Sequence, residues 1–268
     1  MSPPRQKIKA VIFDLDGTLL DTEVLADRAM FQAFGKSLPE SVREHIRKDG
    51  DKLPWEIKSK ILGMRGSEWI PMVLKYAQEH WGVASSGEED GITTHALPPP
   101  VDEFWRRWET NLSELCLDVK ECPGATSLVQ ELSRLNVPLA IATSSRLVSV
   151  NKKRIKHEEM FKHFQTIVTG DDKAVKNGKP APDIYIEAAR RLGVHPSECL
   201  VFEDAMTGVK SGNAAGCQVV AIPDPRMDKA VFSPMADAVL ESLWHFDGEM
   251  WGIQLNMADC KNRIVSGV

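Results

Sequence analysis

The fold is decided by the stretch Val11-Ile12-Phe13-Asp14-Leu15-Asp16-Gly17-Thr18-Leu19-Leu20-Asp21-Thr22-Glu23. It opens with a short apolar run followed at once by charge, which is typical of a buried strand as it leaves a sheet. The run delivers two aspartates, two positions apart, onto a glycine-containing turn. Because ligands of open α/β sheets collect at the carboxyl ends of the strands, the placement indicates that Asp14 and Asp16 form a working carboxylate pair.

The length and composition are those of an ordinary globular protein. The chain has 268 residues, of which 43% are hydrophobic and 26% charged, enough for one sizeable α/β domain with a smaller attachment. The formal net charge of −5 argues against a nucleic-acid-binding surface as the main purpose of the molecule. We therefore expect no nucleic-acid partner, and we separately expect a monomer that acts on a small molecule.

The cysteines and the apolar runs indicate a reducing, cytoplasmic location. The five cysteines include no CxxC pair, so the spacing of a zinc site is absent. The first ten residues contain basic side chains but no apolar segment of the kind that a secretory signal needs. No apolar run approaches the roughly 18 residues of a membrane span, so we expect no membrane partner.

Helix and strand patterns alternate from Pro123 onward. Alternation of this kind builds a parallel sheet with right-handed crossovers and helices on both faces, so the sequence predicts an α/β fold with a Rossmann-like parallel sheet. The patterns predict helices at 125–135, 146–157, 182–192 and 205–215, and strands at 138–142, 166–168, 200–202 and 218–222.

The sequence between the first helix, predicted over 21–34, and about Leu117 has a different character. Strand-like runs are absent there, and helical segments dominate, at 68–80 and 101–115. The stretch 84–100 has little apolar content and ends in three prolines, which is typical of a mobile loop. We therefore predict a core formed by 1–22 and 118–250, an inserted α-helical domain at 23–117, and a tail at 251–268 that carries no readable motif.

Polar clusters stand at the exits of the predicted strands. In a parallel sheet these exits lie along one edge, so residues far apart in sequence converge on a single crevice. The convergence is stronger evidence for a site than any cluster alone. The clusters are Asp14 with Asp16, Thr143 with Ser144, the loop that contains Lys179, and Glu203 with Asp204.

These side chains together suit phosphoryl transfer. Asp14, Asp204 and Glu203 offer hard oxygen ligands in the number and charge that Mg²⁺ prefers. Lys179 supplies a cation and Thr143 a hydroxyl for phosphoryl oxygens. One aspartate of the pair would attack phosphorus, and the other would give a proton to the leaving oxygen and later take one from water.

Each cluster also has a plainer interpretation. A DxDG turn occurs in calcium loops, but an EF-hand needs Glu at its twelfth position, where this chain has Leu25. The hydroxyls from Thr143 onward are equally suited to capping the following helix. Lys179 alone would be a surface lysine, and Glu203 with Asp204 an acidic pair at a helix start. Because all of them follow strands in order, we favour the common site.

The clusters resemble the motifs of the haloacid dehalogenase superfamily, in register and over nearly the whole chain. This resemblance implies a Rossmann-like core with a helical cap that closes over the substrate and excludes water until it is needed. The matching stretches are Phe13-Asp14-Leu15-Asp16-Gly17-Thr18-Leu19-Leu20-Asp21-Thr22-Glu23, Ala142-Thr143-Ser144-Ser145, Gly178-Lys179-Pro180-Ala181-Pro182-Asp183 and Val201-Phe202-Glu203-Asp204-Ala205 with Gly208.

The resemblance implies roles for the acidic residues. Asp14 is expected to be the nucleophile, and Asp204 a direct ligand of Mg²⁺, with Glu203 close to the metal. Asp16 is expected to be the general acid and base, and to bind Mg²⁺ through its main-chain carbonyl. The dehalogenases of the superfamily lack an aspartate at the position of Asp16, so a phosphatase or a phosphomutase is favoured.

The resemblance also implies residues that hold the substrate. Thr143, Ser144 and Lys179 are expected to hold phosphate, and Lys179 counts among the catalytic residues. In the cap, Arg65 lies where relatives place a substrate-contacting loop, so it either meets a hydroxyl or second anionic group of the substrate or is a solvated arginine. The basic run Lys152-Lys153-Arg154 suggests an RNA contact or a solvated helix face, and in an acidic protein we expect the solvated face.

At subfamily level the chain is similar to eukaryotic pseudouridine-5'-phosphatases and to plant and fungal glycerol-3-phosphatases. The stretches that carry this similarity are 53–63, Gly170-Asp171-Asp172 and 200–205. It implies a Mg²⁺-dependent phosphatase of a small phosphomonoester, with pseudouridine 5'-phosphate favoured over glycerol 3-phosphate. A β-phosphoglucomutase-type phosphomutase and a non-catalytic phosphate-binding protein remain as alternatives.

Overall fold

The structure is a computed structural model that describes residues 7–62, 64, 66–84, 97–255 and 257. The chain divides into two compact units, one formed by Met1–Asp21 with Lys120–Val268 and the other by Thr22–Val119. The predicted loop at 84–100 and the tail at 251–268 fall largely outside the described residues. Among the helices that the structure describes, none is both long enough and apolar enough to cross a membrane.

A parallel sheet organises the first unit and confirms the predicted α/β fold. In the described part of the chain it contains six strands, which are β1 (Ala10–Phe13), β4 (Leu139–Ala142), β5 (Thr166–Val168), β6 (Cys199–Glu203), β7 (Gln218–Ala221) and β8 (Ala238–Val239). They lie side by side in the order β5-β4-β1-β6-β7-β8. Two further short strands, β2 (Leu20–Asp21) and β3 (Lys120–Glu121), pair antiparallel.

Strand β1 lies inside the sheet, between β4 and β6, and is fully buried. Phe13 pairs in register with Ile141 on one side and with Phe202 on the other. The chain proceeds from β1 through β4 to β5 and then returns to β6 on the opposite side of β1, so the strand order reverses there. Ligands of such sheets bind outside the carboxyl ends of the strands at this reversal, which is where Asp14 follows β1.

Helices cover the sheet and bury its apolar side chains. Ala10 and Ile12 of β1 belong to one core cluster, which also contains Tyr185 and Val209. Phe13 points to the other face, where its ring stacks on Phe202 with the ring centroids 4.8 Å apart. The helices of this unit are α6 (Ala125–Arg134), α7 (Leu147–Lys153), α8 (Glu158–Phe161), α9 (Asp183–Leu192) and α10 (Met206–Ala215).

The helix predicted over 146–157 is shorter than expected. Helix α7 ends at Lys153, and a 3₁₀ turn, Arg154–Lys156, follows it. The N–H of His157 donates to the carbonyl of Arg154 at 2.9 Å, the three-residue spacing that tightens a helix end. Pattern reasoning did not anticipate the two-residue strands, because two residues show no period.

The second unit is helical and has a core of its own. Its apolar cluster centres on Phe34 and Phe104, whose rings meet edge to face with centroids 4.9 Å apart. Lys58 is buried and its ammonium donates to Asp27 Oδ1 at 2.6 Å. The helices are α1 (Glu23–Phe34), α2 (Glu40–Lys48), α3 (Trp55–Ile61), α4 (Gly66–His80) and α5 (Val101–Leu115).

Candidate active site

Asp14 is fixed at the carboxyl end of the central strand. Its N–H continues the ladder of β1 by donating to the carbonyl of Phe202 at 2.9 Å, so the backbone leaves the sheet in a defined direction. The residue is 5% exposed, and its carboxylate Oδ1 accepts a hydrogen bond from Lys179 Nζ at 2.5 Å. A buried carboxyl group needs such a partner if it is to carry its charge.

Lys179 bridges two carboxylates that come from different strands. Its Nζ lies 2.5 Å from Asp14 Oδ1 and 2.5 Å from Glu203 Oε1, and it donates to the carbonyl of Ala142 at 3.3 Å. Burial disfavours the charged form, but the two carboxylates outweigh it and raise the pKa of Lys179 above its ordinary value. The two carboxylates therefore favour the charged ammonium form of Lys179.

Glu203 accepts hydrogen bonds at both of its carboxylate oxygens. Its Oε1 accepts from the Tyr185 hydroxyl at 2.6 Å as well as from Lys179. Its Oε2 accepts from the backbone N–H groups of Asp204 and Ala205, at 3.1 and 3.2 Å. These donors fix the Glu203 carboxylate next to the start of α10. The fixed carboxylate in turn holds the ammonium of Lys179 in place.

A glycine of α10 makes room for this arrangement. A Cβ at Gly208 would lie 1.7 Å from Glu203 Oε1, which is too close for two atoms that are not bonded to each other. The carboxylate therefore occupies the space that a side chain at this position would fill. A fixed Glu203 requires glycine here, which explains why Gly208 accompanies the acidic pair in the sequence.

Asp14, Glu203 and Asp204 form an acidic cluster that suits a divalent cation. Within the described residues, these three offer carboxylate oxygens that all lie within 4.8 Å of one another. When all are ionised, the three carboxylates and the ammonium of Lys179 have a net charge of two negative units. Burial, together with the charges of Glu203 and Asp16, raises the pKa of Asp14 to about 7 despite the attraction of Lys179. A hard divalent ion such as Mg²⁺ would compensate this excess charge.

Gly17 leaves the space for the Asp204 carboxylate. It has a φ of 87°, which L side chains rarely adopt, and a Cβ there would lie 2.2 Å from Asp204 Oδ2. Thr18 Oγ1 donates to Asp204 Oδ1 at 3.4 Å. The turn after the first aspartate therefore both redirects the chain and receives an acidic side chain from the end of β6.

Asp16 is held on the opposite side of the pair, by residues that follow β4. Its Oδ1 accepts from Lys153 Nζ. Its Oδ2 accepts from Ser145 Oγ at 2.7 Å and from Thr143 Oγ1 at 3.3 Å. The two aspartates are therefore separated in environment, because Asp14 faces the acidic cluster while Asp16 faces hydroxyls and an ammonium.

The structure brings most of the expected site residues to one edge of the sheet. Ser144 is exposed, and its neighbour Ser145 is the serine that donates to Asp16. Arg65 lies outside the described residues, so its expected role stays a prediction. The residues that the structure brings together, directly or through a shared partner, are Asp14, Asp16, Thr143, Lys179, Glu203 and Asp204.

Sequence reasoning missed two buried residues of the site, Lys153 and Tyr185. The basic run was expected to be a solvated face, and this is wrong for Lys153, which is 1% exposed. The signal was helical spacing: Lys153 follows the buried Val150 by three residues and precedes the buried His157 by four, which places it on the inward face. Tyr185 gave no such signal, since a tyrosine in a helix is ordinarily core.

The chain is similar to known hydrolases and phosphatases. The model of the haloacid dehalogenase-like hydrolase family matches residues 8–216. A probable pseudouridine-5'-phosphatase from Drosophila melanogaster is 36% identical over 254 residues, which cover 92% of this chain and 95% of that protein. The (DL)-glycerol-3-phosphatase 2 of Arabidopsis thaliana is 34% identical over 252 residues, 93% of each chain.

The fold is also similar to that of a solved structure. The structure of CbbY from Rhodobacter sphaeroides in complex with phosphate is 26% identical to this chain, with a TM-score of 0.60. The match covers 88% of this chain and 95% of that one. With the acidic cluster and the paired aspartates at the carboxyl edge of the sheet, these similarities place the chain in the haloacid dehalogenase-like hydrolase family, as a phosphatase.

Proposed function

We propose that the chain is a Mg²⁺-dependent phosphomonoesterase that works through an aspartyl-phosphate on Asp14. The observation that supports this most is the division of the aspartate pair. Asp14 lies against Lys179 in the acidic cluster, whereas Asp16 is held apart by Lys153 and Ser145. Two carboxylates in different surroundings suit two different tasks, nucleophilic attack and proton transfer.

In the first step, a carboxylate oxygen of Asp14 forms a bond to phosphorus. The bond from phosphorus to the ester oxygen breaks, and its electron pair stays on the leaving oxygen, which takes a proton from the carboxyl group of Asp16. The products are a free alcohol, an acyl phosphate on Asp14 and a carboxylate on Asp16. Lys179 meets the charge of the phosphoryl oxygens, since its ammonium already lies beside Asp14.

In the second step, water attacks the phosphorus of the acyl phosphate. The attacking water gives a proton to the carboxylate of Asp16, and the bond between phosphorus and the Asp14 oxygen breaks. Inorganic phosphate leaves, and both aspartates return to their starting protonation. We propose that Thr143 and Ser144, together with Lys179, hold the phosphoryl oxygens through both steps.

The donor set fits the proposed Mg²⁺. Asp14 and Asp204 would hold the ion by their carboxylates, and Asp16 by its main-chain carbonyl, while Glu203 adds charge close by with its oxygens engaged by the donors described above. When bound, Mg²⁺ supplies charge neutralisation at the phosphoryl oxygens.

For the substrate we propose pseudouridine 5'-phosphate, with glycerol 3-phosphate as the second candidate. The similarity to a probable pseudouridine-5'-phosphatase of Drosophila and a glycerol-3-phosphatase of Arabidopsis supports these two choices, and the aligned residues cover more than nine tenths of each chain. We propose that the helical unit is the cap that selects between them. The expectations of a monomer and of a cytoplasmic location stay predictions of the sequence.

The test is a phosphate-release assay with pseudouridine 5'-phosphate and glycerol 3-phosphate. Release is expected with Mg²⁺, and its loss is expected with a chelator and in Asp14→Asn. Borohydride added during turnover reduces an aspartyl phosphate to homoserine, which mass spectrometry locates at position 14. Turnover without that product would contradict the covalent step. Isomer interconversion that depends on a bisphosphate would instead show a mutase, and phosphate binding without turnover a non-catalytic protein.

Metal binding has a readout that does not depend on activity. An ion that binds the folded chain but not the unfolded chain raises the melting temperature as the ion concentration rises. We expect Mg²⁺ to raise the melting temperature of the wild-type protein, and we expect Asp204→Asn to abolish most of that rise because it removes one carboxylate of the cluster. An equal rise in both proteins would place the ion elsewhere.

A further inference from the structure

Lys153 is a buried ammonium that the acidic cluster does not use. It ends helix α7, is 1% exposed, and donates to Asp16 Oδ1 and, at 2.9 Å, to Ser145 Oγ. Taking a lysine out of water opposes folding, and a well-packed apolar residue commonly serves stability as well or better. A lysine at this position therefore points to a task in the site rather than to stability alone.

The contacts of Lys153 fix one carboxyl group in one orientation. Lys153 holds Asp16 Oδ1, while Ser145 Oγ holds Oδ2 from the segment that follows β4. The Asp16 side chain is nevertheless 28% exposed, so it remains accessible at the open edge of the site. The geometry restrains the rotation of the carboxyl group without covering it.

We infer that Lys153 is a positioning residue for the proton transfer at Asp16. This inference rests on the proposed function, in which Asp16 gives a proton to the leaving oxygen as the phosphorus–oxygen bond breaks and later takes one from the attacking water. Lys153 keeps the carboxyl group in place for both transfers. It also lies beside the carboxylate that the first transfer leaves, so that charge forms next to an ammonium that needs no rearrangement.

The same contacts argue against a direct contact of Lys153 with phosphate. Its Nζ is turned toward Asp16 and Ser145, and the side chain is closed off from solvent. Lys179, in contrast, lies in the acidic cluster with Asp14. The two lysines therefore have different roles, because Lys179 lies beside the proposed nucleophile Asp14 and Lys153 beside the proposed acid and base Asp16.

The experiment compares two leaving groups in Lys153→Met, with Lys152→Met as the matched control that removes a lysine from the preceding position of the same helix. The probes are p-nitrophenyl phosphate, whose leaving oxygen departs without a proton, and phenyl phosphate, whose leaving oxygen needs one. We expect kcat on phenyl phosphate to fall about tenfold or more in Lys153→Met, which is part of the roughly 10²–10⁴-fold that general acid–base catalysis contributes. On p-nitrophenyl phosphate the loss should be much smaller, KM should change little, and the control should resemble wild type.

A double-mutant comparison separates this inference from the proposed function. In an Asp16→Asn background, Lys153→Met should cost no further activity on phenyl phosphate, because the group it positions is gone. Equal losses on both probes, a loss confined to KM, or a full further loss in the Asp16→Asn background would overturn the inference. Full activity of Asp16→Asn itself would instead refute the role of Asp16 in the proposed function.

A second variant keeps the test open if Lys153→Met does not fold, as judged by its thermal unfolding. Ser145→Ala removes the hydroxyl that joins Lys153 to Asp16 and keeps the buried charge pair. It should show the same preference for the better leaving group, to a smaller extent. An equal loss on both probes in Ser145→Ala would count against the inference in the same way.

Discussion

Replacing Tyr185 by phenylalanine tests whether its hydroxyl holds the acidic cluster in place. Tyr185 is fully buried in α9, and its hydroxyl donates to Glu203 Oε1 at 2.6 Å. The same oxygen accepts from Lys179, whose Nζ also lies 5.1 Å from the centroid of the Tyr185 ring. Phenylalanine keeps the ring and removes one donor from a buried carboxylate.

The size of the effect follows from the charge of the acceptor. A hydrogen bond to a charged group contributes about 1.5–3 kcal/mol to stability, roughly twice the value for a neutral pair. Lys179 still satisfies the same oxygen in the variant, so we expect a loss of about 2 kcal/mol in the free energy of unfolding. For a chain of this size that corresponds to a fall of about 4–8 °C in the melting temperature. The phosphate-release rate should fall as well, because Glu203 orients Lys179.

The assay is unfolding by urea and by heat, monitored by circular dichroism, with Tyr76→Phe as the control. The chain has two tyrosines, and Tyr76 lies in the helical unit, half-buried. Removing its hydroxyl should change the free energy of unfolding by less than about 0.5 kcal/mol.

Two results would refute the reasoning about Tyr185. If Tyr185→Phe loses no more stability than Tyr76→Phe, the hydroxyl does not hold Glu203. A second check uses alkaline pH, because burial and the charge of Glu203 raise the pKa of Tyr185 well above its ordinary value. The ultraviolet absorbance of its phenolate should appear only as the protein unfolds, and its appearance in the folded protein would contradict the buried contact.

Three further changes test the acidic cluster and the helical unit. Burial raises the pKa of Asp14 to about 7, so the folded protein holds the proton more tightly than the unfolded chain does. In metal-free buffer this stabilisation is lost as pH rises from about 4 to about 7. Across that window the free energy of unfolding of Asp14→Asn should therefore rise relative to that of the wild type. Gly208→Ala should cost about 1–3 kcal/mol and reduce phosphate release, because its methyl group would displace Glu203. Lys58→Met should cost about 3–5 kcal/mol, because it leaves Asp27 buried without its ammonium.

Each of these three has a contradicting result. Unfolding free energies of Asp14→Asn and wild type that run parallel with pH would mean that Asp14 is not protonated more readily in the folded state. Wild-type activity and stability in Gly208→Ala would mean that Glu203 has room to move. For Lys58, the matched control is Lys60→Met on the same helix, an exposed lysine, and equal losses in the two variants would show that the buried pair contributes nothing particular.

The sequence by itself determined the sheet and the convergence of its motifs. Fully buried parallel strands appear as short apolar runs with abrupt polar ends, and such runs are visible without any tertiary information. Because the carboxyl ends of parallel strands meet at one edge, the sequence predicts that Asp14, Lys179 and Asp204 lie together. Long helices were equally clear, and the helix predicted over 101–115 is α5, Val101–Leu115.

Only the tertiary structure decided which of two neighbouring side chains enters the site. Ser144 and Ser145 are alike in sequence, but the turn after β4 exposes the first and directs the second to Asp16. Lys152 and Lys153 are alike as well, and the rotation of α7 about its axis buries the second alone. Such choices depend on how a helix or turn is seated against the sheet, and contacts far apart in the chain fix that seating. The sequence therefore determined that two aspartates share an edge, while packing decided which groups hold each of them.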